Sequence, residues 1–189
     1  MRKLTYYVAV TLDGFIAGPG GEFDFFPFEG EFAAEILTEF PETIPGHARE
    51  PLGLTGVQNK RFDTVVMGRG TYEPALRIGV TSPYPQLRQY VVSTTLTSTD
   101  PEVRIVSGDP VEFVRDLKRG EGGGIWLAGG GKLAGALLDE IDELIVKRSP
   151  IVAGAGIPMF DAAFGPVRFA PVDTRGFAEG VTISTYTRM

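Results

Sequence analysis

Apolar residues fall along this chain in short compact runs separated by stretches of helical spacing. Leu4 to Leu12 is rich in β-branched and aromatic residues and reads as a buried strand, turned by Asp13-Gly14. Further strands are predicted at Thr64–Met67, Tyr90–Ser93, Val103–Val106, Ile125–Ala128 and Leu144–Val146, and an antiparallel pair at Val167–Val172 and Val181–Tyr186. Helical spacing marks Glu31–Phe40, where Phe32, Ile36, Leu37 and Phe40 recur, and a shorter turn at Thr71–Leu76. Asp109-Pro110-Val111-Glu112 is a helix start with Asp109 as N-cap, Pro110 at the first helical position and Glu112 completing a capping-box-like pair. That helix ends before Gly120. Another begins at Gly131 and buries Leu133, Leu137, Leu138 and Ile141. Strands alternating with helices predict an α/β fold with a mixed, mostly parallel central sheet and antiparallel C-terminal strands. With 189 residues and no visible linker or repeat, the chain reads as a single domain over 1–189.

Composition narrows the chemistry. There are no cysteines, which removes disulfides, thiol catalysis and Cys-ligated metals and suits a cytoplasmic protein. The one histidine, His47, lies in the Pro/Gly-bearing segment Pro41–Pro51 and reads as a solvated loop residue; a Ser-His-Asp triad would have to use it. A net charge of −6 without a basic block argues against nucleic-acid binding. No apolar run approaches a membrane span. The acidic cluster Asp139, Glu140, Asp142 and Glu143 reads as a solvated helix-to-strand turn, and no metal site is expected.

Glycine is over-represented, with 25 residues, and the excess concentrates in loops after predicted strands. Two segments share one design of strand, glycines and helix: Val65-Val66-Met67-Gly68-Arg69-Gly70-Thr71, and Ile125-Trp126-Leu127-Ala128-Gly129-Gly130-Gly131-Lys132-Leu133. Glycines let the backbone approach a ligand, and uncapped amides at a helix start attract phosphate. Arg69 and Lys132 add a cation to each loop. Two such loops at one edge of a parallel sheet could hold the two ends of a dinucleotide. A P-loop is excluded, because Trp126 and Leu133 occupy required positions. Gly129-x-Gly131-x-x-Ala134 fits a Rossmann fingerprint formally, but the following strand leads into Lys147 and Arg148 where an acid is required.

In order, Ala9-Val10-Thr11-Leu12-Asp13-Gly14-Phe15-Ile16-Ala17, Met67-Gly68-Arg69-Gly70-Thr71, Val91-Val92-Ser93-Thr94, Gly129-Gly130-Gly131 and Ser149-Pro150-Ile151-Val152-Ala153-Gly154 resemble the dihydrofolate reductase-like fold. They resemble more closely the reductase domain of bacterial riboflavin biosynthesis, the RibD C-terminal domain family. The resemblance implies a three-layer fold and an NADPH-dependent oxidoreductase, similar to 5-amino-6-(5-phosphoribosylamino)uracil reductase or dihydrofolate reductase. Hydride would pass to a C=N bond or a ring-opened ribose carbonyl of a small pyrimidine- or pteridine-like substrate. It implies that Gly68, Arg69, Thr71, Ser93 and Thr94 meet the adenosine 2′-phosphate end, Gly129, Gly130, Gly131, Lys132 and Leu133 the pyrophosphate, and Ala9, Ile16 and Ala17 the nicotinamide. Glu31 and Glu35 are candidates for the substrate carboxylate of dihydrofolate reductases, and Asp13 for substrate contact or proton supply. Each also has a plain reading, as helix-surface charges and a turn former. The same loops would serve a nucleotide-binding module without catalysis. A homodimer is expected, with Phe160, Phe164, Phe169 and Phe177 as candidate interface aromatics.

Overall fold

A computed structural model describes residues 1–97 and 100–189. The elements run β1 (Leu4–Val10), β2 (Phe15–Ala17), α1 (Gly30–Glu39), α2 (Gly46–Arg49), β3 (Phe62–Gly68), α3 (Arg69–Arg77), β4 (Arg88–Val92), β5 (Val103–Val106), α4 (Pro110–Arg119), β6 (Gly124–Gly129), α5 (Gly131–Ala136), β7 (Glu143–Arg148), β8 (Ile157–Pro158), β9 (Phe169–Gly176) and β10 (Thr182–Arg188). Eight strands form one sheet in the order β5-β4-β3-β6-β1-β7-β10-β9. The first six of these are mutually parallel, and β10 and β9 add an antiparallel edge. The predicted α/β fold with its mostly parallel sheet is therefore present.

Alternation along the strands sorts the core into two layers. Tyr7, Val65, Met67, Val91, Trp126, Ile145 and Ile183 point to the face covered by α1 and α3, through Phe32, Ile36 and Tyr72. Leu4, Tyr6, Val8, Val66, Ile125 and Leu127 point to the face covered by α4 and α5, through Val114, Leu133, Ala134 and Leu137. The middle strands are buried on both faces, so they read as continuous apolar runs.

Local departures from the sequence reading have identifiable causes. The helix from Gly131 stops at Ala136 and continues only as a 3-10 turn at Leu138–Glu140, so Leu138 is partly exposed while Ile141 is buried beyond it. His47 sits in the helical turn α2 rather than in open loop, and is exposed. The C-terminal pair lies at Phe169–Gly176 and Thr182–Arg188. The small β2–β8 pair has no period-two signal because it is so short. Asp109 caps α4 as expected, accepting from the Val111 amide at 2.8 Å.

The acidic turn after α5 is stitched into the fold. Glu140 pairs with Arg115 at 2.8 Å, Asp142 pairs with the buried Lys118 at 2.8 Å and accepts from the Leu4 amide, and Glu143 accepts from Thr5. No cluster of metal-ligating side chains exists among the described residues. Among them, too, no helix is long and apolar enough to cross a membrane.

Candidate functional site

The two glycine loops meet at the C-terminal edge of the sheet, because β3 and β6 are parallel neighbours. A Cβ on Gly68 would stand 3.5 Å from the Gly129 oxygen and the Gly130 nitrogen. Beside them the sheet opens. The β1–β6 ladder runs from Leu4↔Ile125 to Tyr6↔Leu127 and stops. Yet β1 stays paired with β7 as far as Val10↔Arg148, and β6 with β3 as far as Met67↔Gly129. The strands thus part beyond Tyr6 and leave a cleft between Ala9 and the Ala128–Gly130 turn. Trp126 Nε1 donates to the Tyr7 carbonyl at 3.1 Å and satisfies the first acceptor the parting exposes. The Val10 carbonyl accepts from Ser149, on the β7 side. Backbone direction alternates along a strand, so the N–H and C=O of Ala9 point into the cleft. Ala9 and Ala128 are accordingly half-buried, while their strand neighbours Val8, Val10, Leu127 and Gly129 are buried.

The predicted residues converge around this cleft in two groups. At its mouth, Thr71 Oγ1 lies 3.6 and 3.9 Å from where side chains would begin on Gly129 and Gly130, and Ile16 lies 4.0 Å from the latter position. Gly129 has φ of +120°, which only glycine adopts readily, and its peptide to Gly130 is cis. Farther out, Arg69 donates to Thr95 Oγ1 at 3.0 Å and pairs with Glu73 at 3.2 Å, with half of its side chain exposed. The N-cap of α3 is Gly68, which offers no side-chain acceptor to its first turn. Ser93 is buried, and its hydroxyl accepts from the Thr95 and Leu96 amides at 3.2 and 3.0 Å, shaping the turn that presents Thr94 and Thr95.

Other predicted residues play supporting parts. A side chain on Gly131 would enter the Pro158 carbonyl, and one on Gly135 the Asp161 carbonyl. These two glycines let the segment after β8 lie against α5, while Leu133 packs in the core. Lys132 is exposed. Ala17 is buried in β2, against Gly156. The Asp13 carboxylate accepts from Thr11 Oγ1 at 2.6 Å, Ala153 N at 3.1 Å and Gly154 N at 2.7 Å. The Thr11 hydroxyl and these amides hold its pKa down to about 2, so it is an ionised clasp between two loops. Glu35 pairs with Arg175, and both Glu31 and Glu35 line a shallow groove of about 340 Å³ between α1 and Phe177, away from the cleft. Of the candidate interface aromatics, Phe160 packs on Tyr6, Phe177 on Phe32 and Phe169 under Arg188, while Phe164 stays exposed.

This arrangement fits a dinucleotide: an unladdered amide pair inside a sheet cleft, glycine backbone at its mouth and a cation at its outer end. The model of the RibD C-terminal domain matches residues 2–183. The chain belongs to that family. It is similar to the uncharacterized protein YwjB of Bacillus subtilis (strain 168), with 31% identity over 96% of each chain. It is also similar to YyaP of the same organism, with 26% identity over 98% of this chain and 94% of that one. Among solved structures, a putative riboflavin biosynthesis protein from Shewanella sp. PV-4 superposes with a TM-score of 0.73 and 26% identity, covering 100% and 99% of the two chains. The Thermotoga maritima deaminase/5-amino-6-(5-phosphoribosylamino)uracil reductase gives 0.66 at 17% identity, with this chain spanning 57% of that one. Enterococcus faecalis dihydrofolate reductase, complexed with NADP(H), gives 0.66 at 17% over 98% and 96% of the chains. The last two establish the shared dihydrofolate reductase-like fold.

Three residues of this RibD C-terminal domain stand at or beside the cleft without having been named as site candidates from the sequence. Thr95 shares the Arg69 guanidinium, and Trp126 marks the strand parting. Lys147 lies in β7 directly beside Ala9, with its ammonium 3.7 Å from the Tyr7 ring centroid. Burial lowers its pKa from 10.5 to about 7. A lysine two positions after Ile145 in a strand buried on that face was the available signal.

Proposed function

We propose that this RibD C-terminal domain is an NADPH-dependent reductase of a small pyrimidine- or pteridine-like heterocycle. The parting of β1 from β6 carries the reading, since it places paired backbone donor and acceptor groups of Ala9 opposite the Gly129–Gly130 turn. In this reading Ala9 and Ile16 hold the nicotinamide end. The amides of Gly130 to Lys132, with Thr71 beside them, hold the pyrophosphate, and Arg69 and Thr95 the 2′-phosphate. When bound, the cofactor supplies the hydride. The chain's residues orient the two rings. They also exclude water on the α5 face, where Tyr6 Oη donates to the Met159 carbonyl at 3.0 Å and the segment after β8 closes the layer.

The substrate then lies on the α1 side of the cleft. The test is loss of absorbance at 340 nm when protein and NADPH meet a panel of ribityl-pyrimidines, pterins and folates. Turnover of one of them is the expected result, and binding of NADPH with no turnover on the whole panel overturns it. A second reading, a module that holds the nucleotide without turning it over, draws on the bonding of Asp13 and Glu35 to other partners and the place of Glu31 in the α1 groove.

A further inference from the structure

Burying an ammonium without a counter-charge costs free energy, and folded proteins rarely tolerate it without use. Lys147 approaches this case: it is half-buried on the inner face of β7. Among the described residues it has no hydrogen-bond or ion-pair partner, and its one polar contact is the face of Tyr7. Its neighbours explain why none reaches it. In register across the sheet stand Ala9 on β1 and Ile183 on β10, then Arg175 on β9, whose guanidinium is taken by Glu35 of α1. Four residues back on the same face of β7, Glu143 accepts from Thr5. Tyr7 itself is fixed by stacking on Phe40 at 4.6 Å and by the edge of Trp126 at 6.1 Å. The ammonium is thereby held on the α1 face, one strand from the cleft, in the space the proposed reaction gives to substrate.

We infer that Lys147 selects the substrate ring, donating to a carbonyl or enolate oxygen on its edge and rejecting rings that present an amino or amidinium edge there. This rests on the reductase reading above. A ring oxygen would replace the hydration the ammonium lost on burial, so the bond forms only with an acceptor. A diamino edge offers donors alone, leaves the cation unpaired and adds like charge when protonated.

Two probes of one size separate the cases: 6-aminouracil, with oxygens at the ring positions concerned, and 2,4,6-triaminopyrimidine, with amines there. Calorimetric titrations use the full chain saturated with NADP⁺, for the native protein, Lys147→Met and Lys147→Arg. The native protein is expected to favour 6-aminouracil. Lys147→Met lowers that preference by about 10-fold or more, the scale of one charge-assisted hydrogen bond. Lys147→Arg retains part of it, and NADP⁺ affinity stays within about 2-fold throughout. A structural role for Lys147 would not move a ratio between two probes. The inference is overturned if the native protein binds neither probe or favours the triamine, or if Lys147→Met keeps the native preference. If NADP⁺ itself fails to bind the native protein, the reductase reading falls first; if NADP⁺ binds and the preference is unchanged, only the role of Lys147 falls.

Discussion

Replacing Lys147 with methionine is expected to stabilise the fold, by an amount that depends on pH. The ammonium is partly buried against Tyr7 and its pKa falls from 10.5 to about 7. At about 1.4 kcal/mol for each pH unit, that fall sets a ceiling of about 5 kcal/mol on the cost of keeping the charge. Residual solvent contact and the attraction of the Tyr7 ring reduce it, and about 1–3 kcal/mol is the expected gain for a methionine of similar length. The sign follows from proton counts. Between pH 7 and 10.5 the unfolded chain keeps the lysine proton while the folded chain has released it, so native stability rises with pH across that window. Below pH 7 both states are charged and the cost is paid in full. The methionine advantage is therefore greatest at about pH 6 and shrinks toward about pH 10. Urea unfolding at both pH values measures it, with a midpoint shift of about 1 M at the lower pH. An advantage equal at both, or a destabilised variant, would refute the reasoning.

Arg69→Ala is expected to weaken NADPH by about 5- to 150-fold while leaving NADH within about 2-fold, the worth of a charge-assisted bond to the extra phosphate. Fluorescence titration with both cofactors checks this, and equal losses would make Arg69 a structural partner of Glu73. Glu42 is fully buried, and its carboxylate collects the amides of Lys60, Arg61 and Phe62 at 3.2, 2.8 and 2.8 Å. Glu42→Ala should cost about 3–5 kcal/mol in urea unfolding by orphaning them, and a loss under about 1 kcal/mol would contradict it. Gly131→Ala drives a Cβ into the Pro158 carbonyl and should lower the melting temperature by several degrees, whereas an unchanged value would show that the segment after β8 gives way freely.

Much of the layer architecture is legible because parallel strands buried on both faces write unbroken apolar runs, as Leu4–Val10 and Ile125–Leu127 do. The strand-glycine-helix pattern also marks the edge where the two loops meet. What the pattern does not contain is where a ladder stops. Nothing in the identities of Val8 to Val10 or of Ala128 says that β1 and β6 part after Tyr6, since register is a property of pairs. The same gap divides the glycine triplet. Gly129 and Gly130 face the cleft, while Gly131 makes room for a carbonyl some 27 residues later in the chain, a contact local sequence does not record. Asp13 shows the converse case, because its turn-forming identity was plain but its partners, the amides of Ala153 and Gly154, come from a loop far along the chain.

The chain's one tryptophan offers the most direct test of the central claim, that a nicotinamide dinucleotide enters where β1 and β6 part. Trp126 bonds the Tyr7 carbonyl at that point, so its emission reports on the cleft from within. Titrating NADPH into the protein should quench tryptophan emission saturably at micromolar concentration, with sensitised nicotinamide emission rising in step. No quenching at about 100 μM, far above a micromolar dissociation constant, would contradict the account.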